Sequence, residues 1–170
     1  MRTIRLAQAA PDSNRAARKT ERFEIVDLGP FDHSRNDVLA LNDAGQCAGV
    51  SHNHETGRVE AFRQEGGTRT MLGTLGGSFS IGRALNDRGE VVGGSLTEGD
   101  EKFHGFIYRD RQLRDLNDFL SPAPEAEQWE LLQALAINNH GEIIAIGCHA
   151  GEDRIVLLRP TRAKPAGSCR

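Results

Sequence analysis

The chain has 170 residues, enough for one domain with a substantial core, and its net charge is −3. The first 22 residues carry +4 and the last ten +3, which leaves −10 on the body between them. An acidic body argues against nucleic acid as a partner, because phosphate contacts need a basic surface. No apolar stretch is long enough to span a bilayer, so we expect no membrane partner.

The two ends of the chain are predicted to be polar tails. Residues 1–22 are basic and predict a disordered segment, and residues 161–170 predict a second tail. The first segment lacks the apolar run of a secretory signal, so we expect a cytoplasmic protein. Residues 23–160 are then expected to form a single β-repeat domain.

Three segments of this domain align without gaps: LNDAGQCAGVSH from Leu41, LNDRGEVVGGSL from Leu85 and INNHGEIIAIGC from Ile137. Each predicts a strand, a turn that opens with Asn and closes with Gly, and a second strand. Asn suits the first position because its side chain caps backbone N–H groups, and Gly suits a left-handed position. We therefore predict six structural turn residues: Asn42, Gly45, Asn86, Gly89, Asn138 and Gly141.

The other predicted strands keep the same spacing. Leu28, Leu72 and Leu116 are 44 residues apart, whereas the third copy holds eight more residues before its Asn turn. That insertion, SPAPEAEQWE, predicts a surface loop or a short helix that contains Trp129. The predicted units span residues 23–66, 67–110 and 111–160.

Each unit is predicted to run in the strand order d, a, b, c, with the Asn turn between a and b. The domain would then begin with a d strand (FEIVDLG) and end with a c strand (RIVLLRP). We expect these two strands to pair and to seal the fold. Evenly spaced short strands with Gly-containing turns are typical of propellers and related folds.

The pattern of LNDRGEVVGGS, His104-Gly105-Phe106 and MLGTLGGSFSIGRALND resembles the HAF-repeat family of probable extracellular repeats. The first copy departs from it with Glu60-Ala61-Phe62, and the third with Asp153-Arg154-Ile155. The resemblance covers residues 23–160 and implies propeller-like β repeats, but it implies no shared activity.

The predicted fold class is therefore all-β, with three four-stranded repeats in a propeller-like arrangement. A β-trefoil is the alternative, because it is also built of three four-stranded repeats. Propellers usually have four to eight blades, and three alone would leave open flanks. We therefore expect a homo-oligomer, and specifically a symmetric dimer.

The sequence contains no catalytic motif, and its histidines are the most suggestive set of side chains. Most of them are predicted to project from b–c and d–a loops at one end of the fold, where such scaffolds place recognition residues. Three could share a metal ion, namely His52, His54 and His104. The candidate ligand-binding residues are His33, His52, His54, His104, His149 and Trp129.

These features favour a non-catalytic binding or scaffold module that takes a protein or carbohydrate ligand and needs no cofactor. A structural subunit that assembles with itself is the first alternative. The second is a metal-dependent enzyme that uses the histidine-rich end.

Overall fold

The computed structural model describes residues 23–25, 27, 37–120 and 129–161. These residues form β-strands and two short 3₁₀ turns, Glu98–Asp100 and Leu116–Phe119, and contain no helix that could cross a bilayer. The strands are β1 Asp37–Leu41, β2 Cys47–His52, β3 Val59–Glu65, β4 Thr68–Gly73, β5 Gly76–Leu85, β6 Val91–Thr97, β7 Phe103–Arg109, β8 Gln112–Asp115, β9 Trp129–Ile137, β10 Ile143–His149 and β11 Glu152–Leu158. The all-β prediction is confirmed for this part of the chain.

The strands form two sheets. In the larger sheet, β1 to β4 are consecutive antiparallel neighbours, as are β5 to β8, and one parallel bridge between Val59 and Phe79 joins the two sets. The smaller sheet contains β9, β10 and β11. We call these sets the first, second and third strand groups. Within the described residues the two sheets do not close into a barrel, so the closed barrel that the β-trefoil alternative requires is not formed there.

The first two groups share one register. Gly49 pairs with Phe62, and 44 residues later Gly93 pairs with Phe106. Glycine is required at these positions because the neighbouring strand comes very close: a Cβ on Gly93 would lie 1.8 Å from the carbonyl oxygen of Ile81. The repeated spacing of the sequence is therefore matched by a repeated pairing of strands.

The core lies between successive groups. Each of two buried clusters combines side chains from two groups, so that burial of apolar surface holds neighbouring groups together. The first cluster contains Ala48, Ala61, Leu72, Leu85, Val91, Phe106 and Tyr108. The second contains Val92, Ile107, Leu116, Leu131, Ala134 and Ile143.

The predicted seal between the first and last strands is not formed by the described residues. Phe23 and Ile25 belong to no strand and are 87% and 94% exposed. Within the described chain, β11 pairs only with β10, so the third group has three strands where the others have four. The rest of the FEIVDLG segment, like residues 1–22 and 162–170, lies outside the described residues.

Candidate functional site

The three Asn-to-Gly turns have the same internal structure. In the first, the Asn42 side chain accepts a hydrogen bond from the Gln46 N–H at 2.9 Å, and Gly45 N–H donates to the Asn42 carbonyl at 3.1 Å. Gly45, Gly89 and Gly141 have φ values of 74°, 72° and 80°. This left-handed conformation is the one that glycine adopts without strain, so the prediction for the turns is confirmed.

These turns also bond to one another across the groups. Asn42 Nδ2 donates to the Asn86 carbonyl at 2.9 Å, and Asn86 Nδ2 donates to the Asn138 carbonyl at 3.2 Å. Beside these bonds, Asp43 N–H donates to the Asp87 carboxylate at 3.1 Å. We call this series of contacts the turn ladder. It places all three a–b turns at one end of the fold, which we call the turn end.

The b–c hairpins must therefore lie at the opposite end, which we call the hairpin end, because each b strand runs from an a–b turn to a b–c hairpin. His140 lies on the third turn, at the turn end. The predicted residue His33 lies outside the described part of the chain. The remaining candidates belong to the hairpin end: His52, His54, His104, Trp129 and His149.

The candidate side chains at this end form three clusters. His52 and His54 form the first cluster. Their Nδ1 atoms are 3.2 Å apart, and their rings meet edge to face with centroids 4.7 Å apart. Below them, Glu60 is 4% exposed and accepts hydrogen bonds from Asn53 Nδ2 and Thr56 Oγ1. The carboxylate of Glu60 is thus used to fix the loop.

His104 is the centre of the second cluster, which we call the charged cluster. Its Nδ1 lies 2.5 Å from Asp115 Oδ2, and its Nε2 lies 3.0 Å from Glu130 Oε1. Lys102 Nζ donates to the same Glu130 oxygen at 2.7 Å. Carboxylates accept hydrogen bonds but do not donate them, so both ring nitrogens of His104 donate and the imidazole is positively charged.

These contacts shift the pKa values of side chains in the charged cluster. Burial disfavours the charged imidazole, but the hydrogen bonds with Asp115 and Glu130 outweigh burial and raise the pKa of His104 above its ordinary value of 6.5. Hydrogen bonds from Lys102 and then from His104 lower the pKa of the Glu130 carboxyl below 4.5. Both shifts favour the charged forms of His104 and Glu130.

Trp129 and His149 form the third cluster, which we call the aromatic pair. Their rings stack with centroids 4.7 Å apart and planes 30° apart. Gly147 lies against the indole, since a Cβ there would be 3.1 Å from Trp129 Cε3. Trp129 is the first residue of β9 and is half-buried, so the prediction that it lies in a loop is wrong. It is directly followed by Glu130, so the aromatic pair and the charged cluster both include residues from the start of β9.

The predicted metal site is not assembled. Among the residues that the structure describes, no three His, Cys, Asp or Glu side chains form a group that could hold a metal ion. His52 and His54 do come together, but both ring nitrogens of His104 are already engaged by carboxylates.

The charged partners of His104 were missed by the sequence analysis. Asp115 could have been found from hairpin register, because it pairs with Phe106 two residues beyond His104. Glu130 carried no such signal, because it reaches His104 from a different sheet.

A cavity of about 670 Å³ lies away from the hairpin end. Most of the residues that line it are apolar. Two of the lining residues are in contact, since the guanidinium carbon of Arg109 lies 5.3 Å from the centroid of the Phe119 ring. It forms where segments distant in sequence meet, so no local pattern predicted it. The cavity is lined by Ile107, Arg109, Leu116, Phe119, Leu120, Gly141, Ile143, Leu157, Leu158, Arg159, Pro160 and Thr161.

No protein-family model and no curated protein matches this chain.

Proposed function

We propose that the protein is a non-catalytic binding module that recognises a carbohydrate through its hairpin end. The scaffold is proposed to consist of three propeller-like units of the HAF-repeat type, each formed by one strand group. The recurrence of the Gly–Phe pairing after 44 residues and the identical turns support this architecture.

The observation that carries the proposed function is the arrangement around Trp129. An indole already stacked on His149 is followed in sequence by Glu130, which is bonded to Lys102 and His104. An aromatic ring and hydrogen-bonding charged side chains at the same end of the fold suit a sugar, which presents an apolar ring face and a rim of hydroxyls. Because these contacts fix the side chains before binding, little conformational entropy would be lost.

Trp129 also supplies the test, because it is the only tryptophan in the chain. Its fluorescence should change saturably on titration with one member of a panel of neutral, amino and acidic saccharides. Glu130→Gln should weaken that binding at least tenfold, whereas His140→Ala, at the turn end, should leave it unchanged.

Two results would contradict this proposal. The first is the absence of any saturable change in fluorescence across the panel. The second is saccharide binding that calorimetry still detects, undiminished, in Glu130→Gln and in Trp129→Phe. Binding of a protein that depends on Trp129 would keep the hairpin end as the site and replace the carbohydrate by a protein ligand.

A second candidate function is that of a structural subunit that assembles with itself. The exposed apolar side chains on the first and last groups favour it: Leu41 is 73% exposed and Ile155 is 78% exposed. The two functions are compatible, because these residues lie outside the proposed ligand surface.

A further inference from the structure

Contacts inside the chain show how one strand group packs on the next. At the first junction, Ala48 and Ala61 are fully buried in one cluster with Leu85 of the second group. At the second junction, Val92 and Ile107 are buried with Ala134 of the third group. In both cases, the a strand of the following group (β5 or β9) covers the face formed by the b and c strands of the preceding group (β2 and β3, or β6 and β7).

The a strands approach very closely at these junctions. A Cβ on Gly82 of β5 would be 3.2 Å from the carbonyl oxygen of Gly49 on β2. Likewise, a Cβ on Gly105 of β7 would be 3.2 Å from the amide nitrogen of Ala134 on β9. At both junctions, the a strand of the following group therefore lies close against the backbone of the preceding group.

The third group presents the same b–c face with nothing described on it. Ile144 pairs with Leu157, in the register in which Val92 pairs with Ile107. Yet Ile144 is 42% exposed and Leu157 is 49% exposed, whereas Val92 is fully buried. With Ile155, these residues form an apolar surface that we call the tail face.

In the first group, no described residue makes the complementary contact on the a strand, β1. Leu41 directly precedes the first turn, as Leu85 precedes the second, but Leu41 is 73% exposed and Leu85 only 7%. Val38, on the same strand, is 45% exposed. We call the exposed surface of β1 the head face.

The turn ladder ends in the same complementary way. At the head, the Asp43 carboxylate accepts no hydrogen bond from the described residues, whereas the equivalent Asp87 carboxylate accepts one from Asp43 N–H at 3.1 Å. At the tail, Asn139 N–H has no acceptor among the described residues, whereas Asp87 N–H donates to Asn139 Oδ1 at 2.9 Å. Among the described residues, the head of the ladder thus has an acceptor without a donor, and the tail has a donor without an acceptor.

We infer that the head face of one copy of this chain docks on the tail face of a second copy. Leu41 and Val38 of one copy would cover Ile144, Ile155 and Leu157 of the other. The turn ladder would continue across the contact, with Asn139 N–H donating to the Asp43 carboxylate of the second copy.

This head-to-tail contact rests on the proposed three-unit architecture and does not depend on the proposed ligand. A contact between unlike surfaces either closes into a ring or grows into a filament. Propellers have about four to eight blades, so three units per chain fit a closed ring only when two copies combine. The inference is therefore a closed dimer with two identical head-to-tail contacts, rather than one contact between like faces.

The test is the mass of the full chain in solution, measured by light scattering over micromolar concentrations. We expect twice the chain mass of 18.6 kDa. Leu41→Asp, at the head, and Ile155→Asp, at the tail, should each give a monomer with an unchanged β circular dichroism spectrum. Thr70→Asp is the matched control, because it adds a charge to an exposed strand position outside both faces and should leave the dimer intact.

Mixing the two variants decides between head-to-tail and like-face contacts. The intact tail of Leu41→Asp can bind the intact head of Ile155→Asp, so an equimolar mixture should recover a heterodimer that neither variant forms alone. A monomeric wild-type chain, a dimer that survives either single variant, or a mixture that stays monomeric would each overturn the inference. Oligomers that keep growing with concentration would overturn the closed dimer and retain the head-to-tail contact.

Discussion

The two ends of this fold use repeated strands in opposite ways. At the turn end, three turns make the same internal hydrogen bonds and then bond to one another. At the hairpin end, three different side-chain clusters are found: a histidine pair, a four-residue charge network and a stacked tryptophan. The comparison teaches that one end sets the spacing of the groups, which leaves the other end free to vary in chemistry.

The largest effect should come from a substitution that strains a turn. In Gly89→Ala, a Cβ on a residue at φ 72° would lie 2.8 Å from Arg63 Nη1, which donates to the Gly89 carbonyl. Strain and loss of this bond should together lower the free energy of unfolding by about 2–3 kcal/mol. Gly45→Ala is the matched control, because Gly45 has φ 74° but no atom within 4 Å of the added Cβ. Equal losses in urea unfolding would show that Arg63 does not support the second turn.

The next effect should distinguish the middle of the turn ladder from its end. Asn86 is 3% exposed. Its side chain accepts a hydrogen bond from Glu90 N–H and donates one to the Asn138 carbonyl. Its own backbone carbonyl accepts one from Asn42 Nδ2. Asn86→Ala should cost about 1–2 kcal/mol, as loss of a capping side chain does. Asn138→Ala should cost less, because Asn138 is exposed and its side chain, among the residues described, bonds only within its own turn. The ladder would be unimportant if thermal melting showed the reverse order.

The smallest effect should appear at the hairpin end, as a dependence of stability on pH. The folded pKa of His104 is raised, so its contribution is complete below the unfolded value of 6.5 and is lost as pH rises through the folded value. The folded pKa of Glu130 is lowered, so its contribution is present above 4.5 and is lost as pH falls through the folded value. The network should therefore stabilise the fold most between these limits.

His104→Gln removes the titrating group and should flatten the decline of melting temperature above pH 6.5. The exposed His140 provides the control, because His140→Gln should leave the wild-type profile unchanged. A wild-type profile that is flat across this range would contradict the assigned charge of His104.

The turns could be predicted from sequence because their chemistry is local. Asn42 and Gly45 are three residues apart, and the hydrogen bonds that need them are made within the same turn. The position of Trp129 could not, because prolines and acidic residues dominate the inserted segment and hide the start of β9.

The contacts between groups also escaped prediction. Glu130 reaches His104 across a boundary between sheets, and only three-dimensional packing brings the two together. The expected pairing of FEIVDLG with the last strand stays a prediction, because part of that segment lies outside the described residues. An apolar strand pattern, such as that of Phe23 and Ile25, says that a segment can pair but does not name its partner.

The turn ladder also bears on how such a chain could change in length. The second turn receives a bond from the first and gives one to the third, so a turn inserted between two others would find both partners in place. Duplication of one 44-residue segment would meet this condition, whereas an insertion of a few residues in a core strand would move an asparagine away from its acceptor. The eight extra residues of the third segment are tolerated because they enter before β9, ahead of the turn. Growth in whole segments, with smaller changes confined to the connections, is the course that this hydrogen-bonding pattern leaves open.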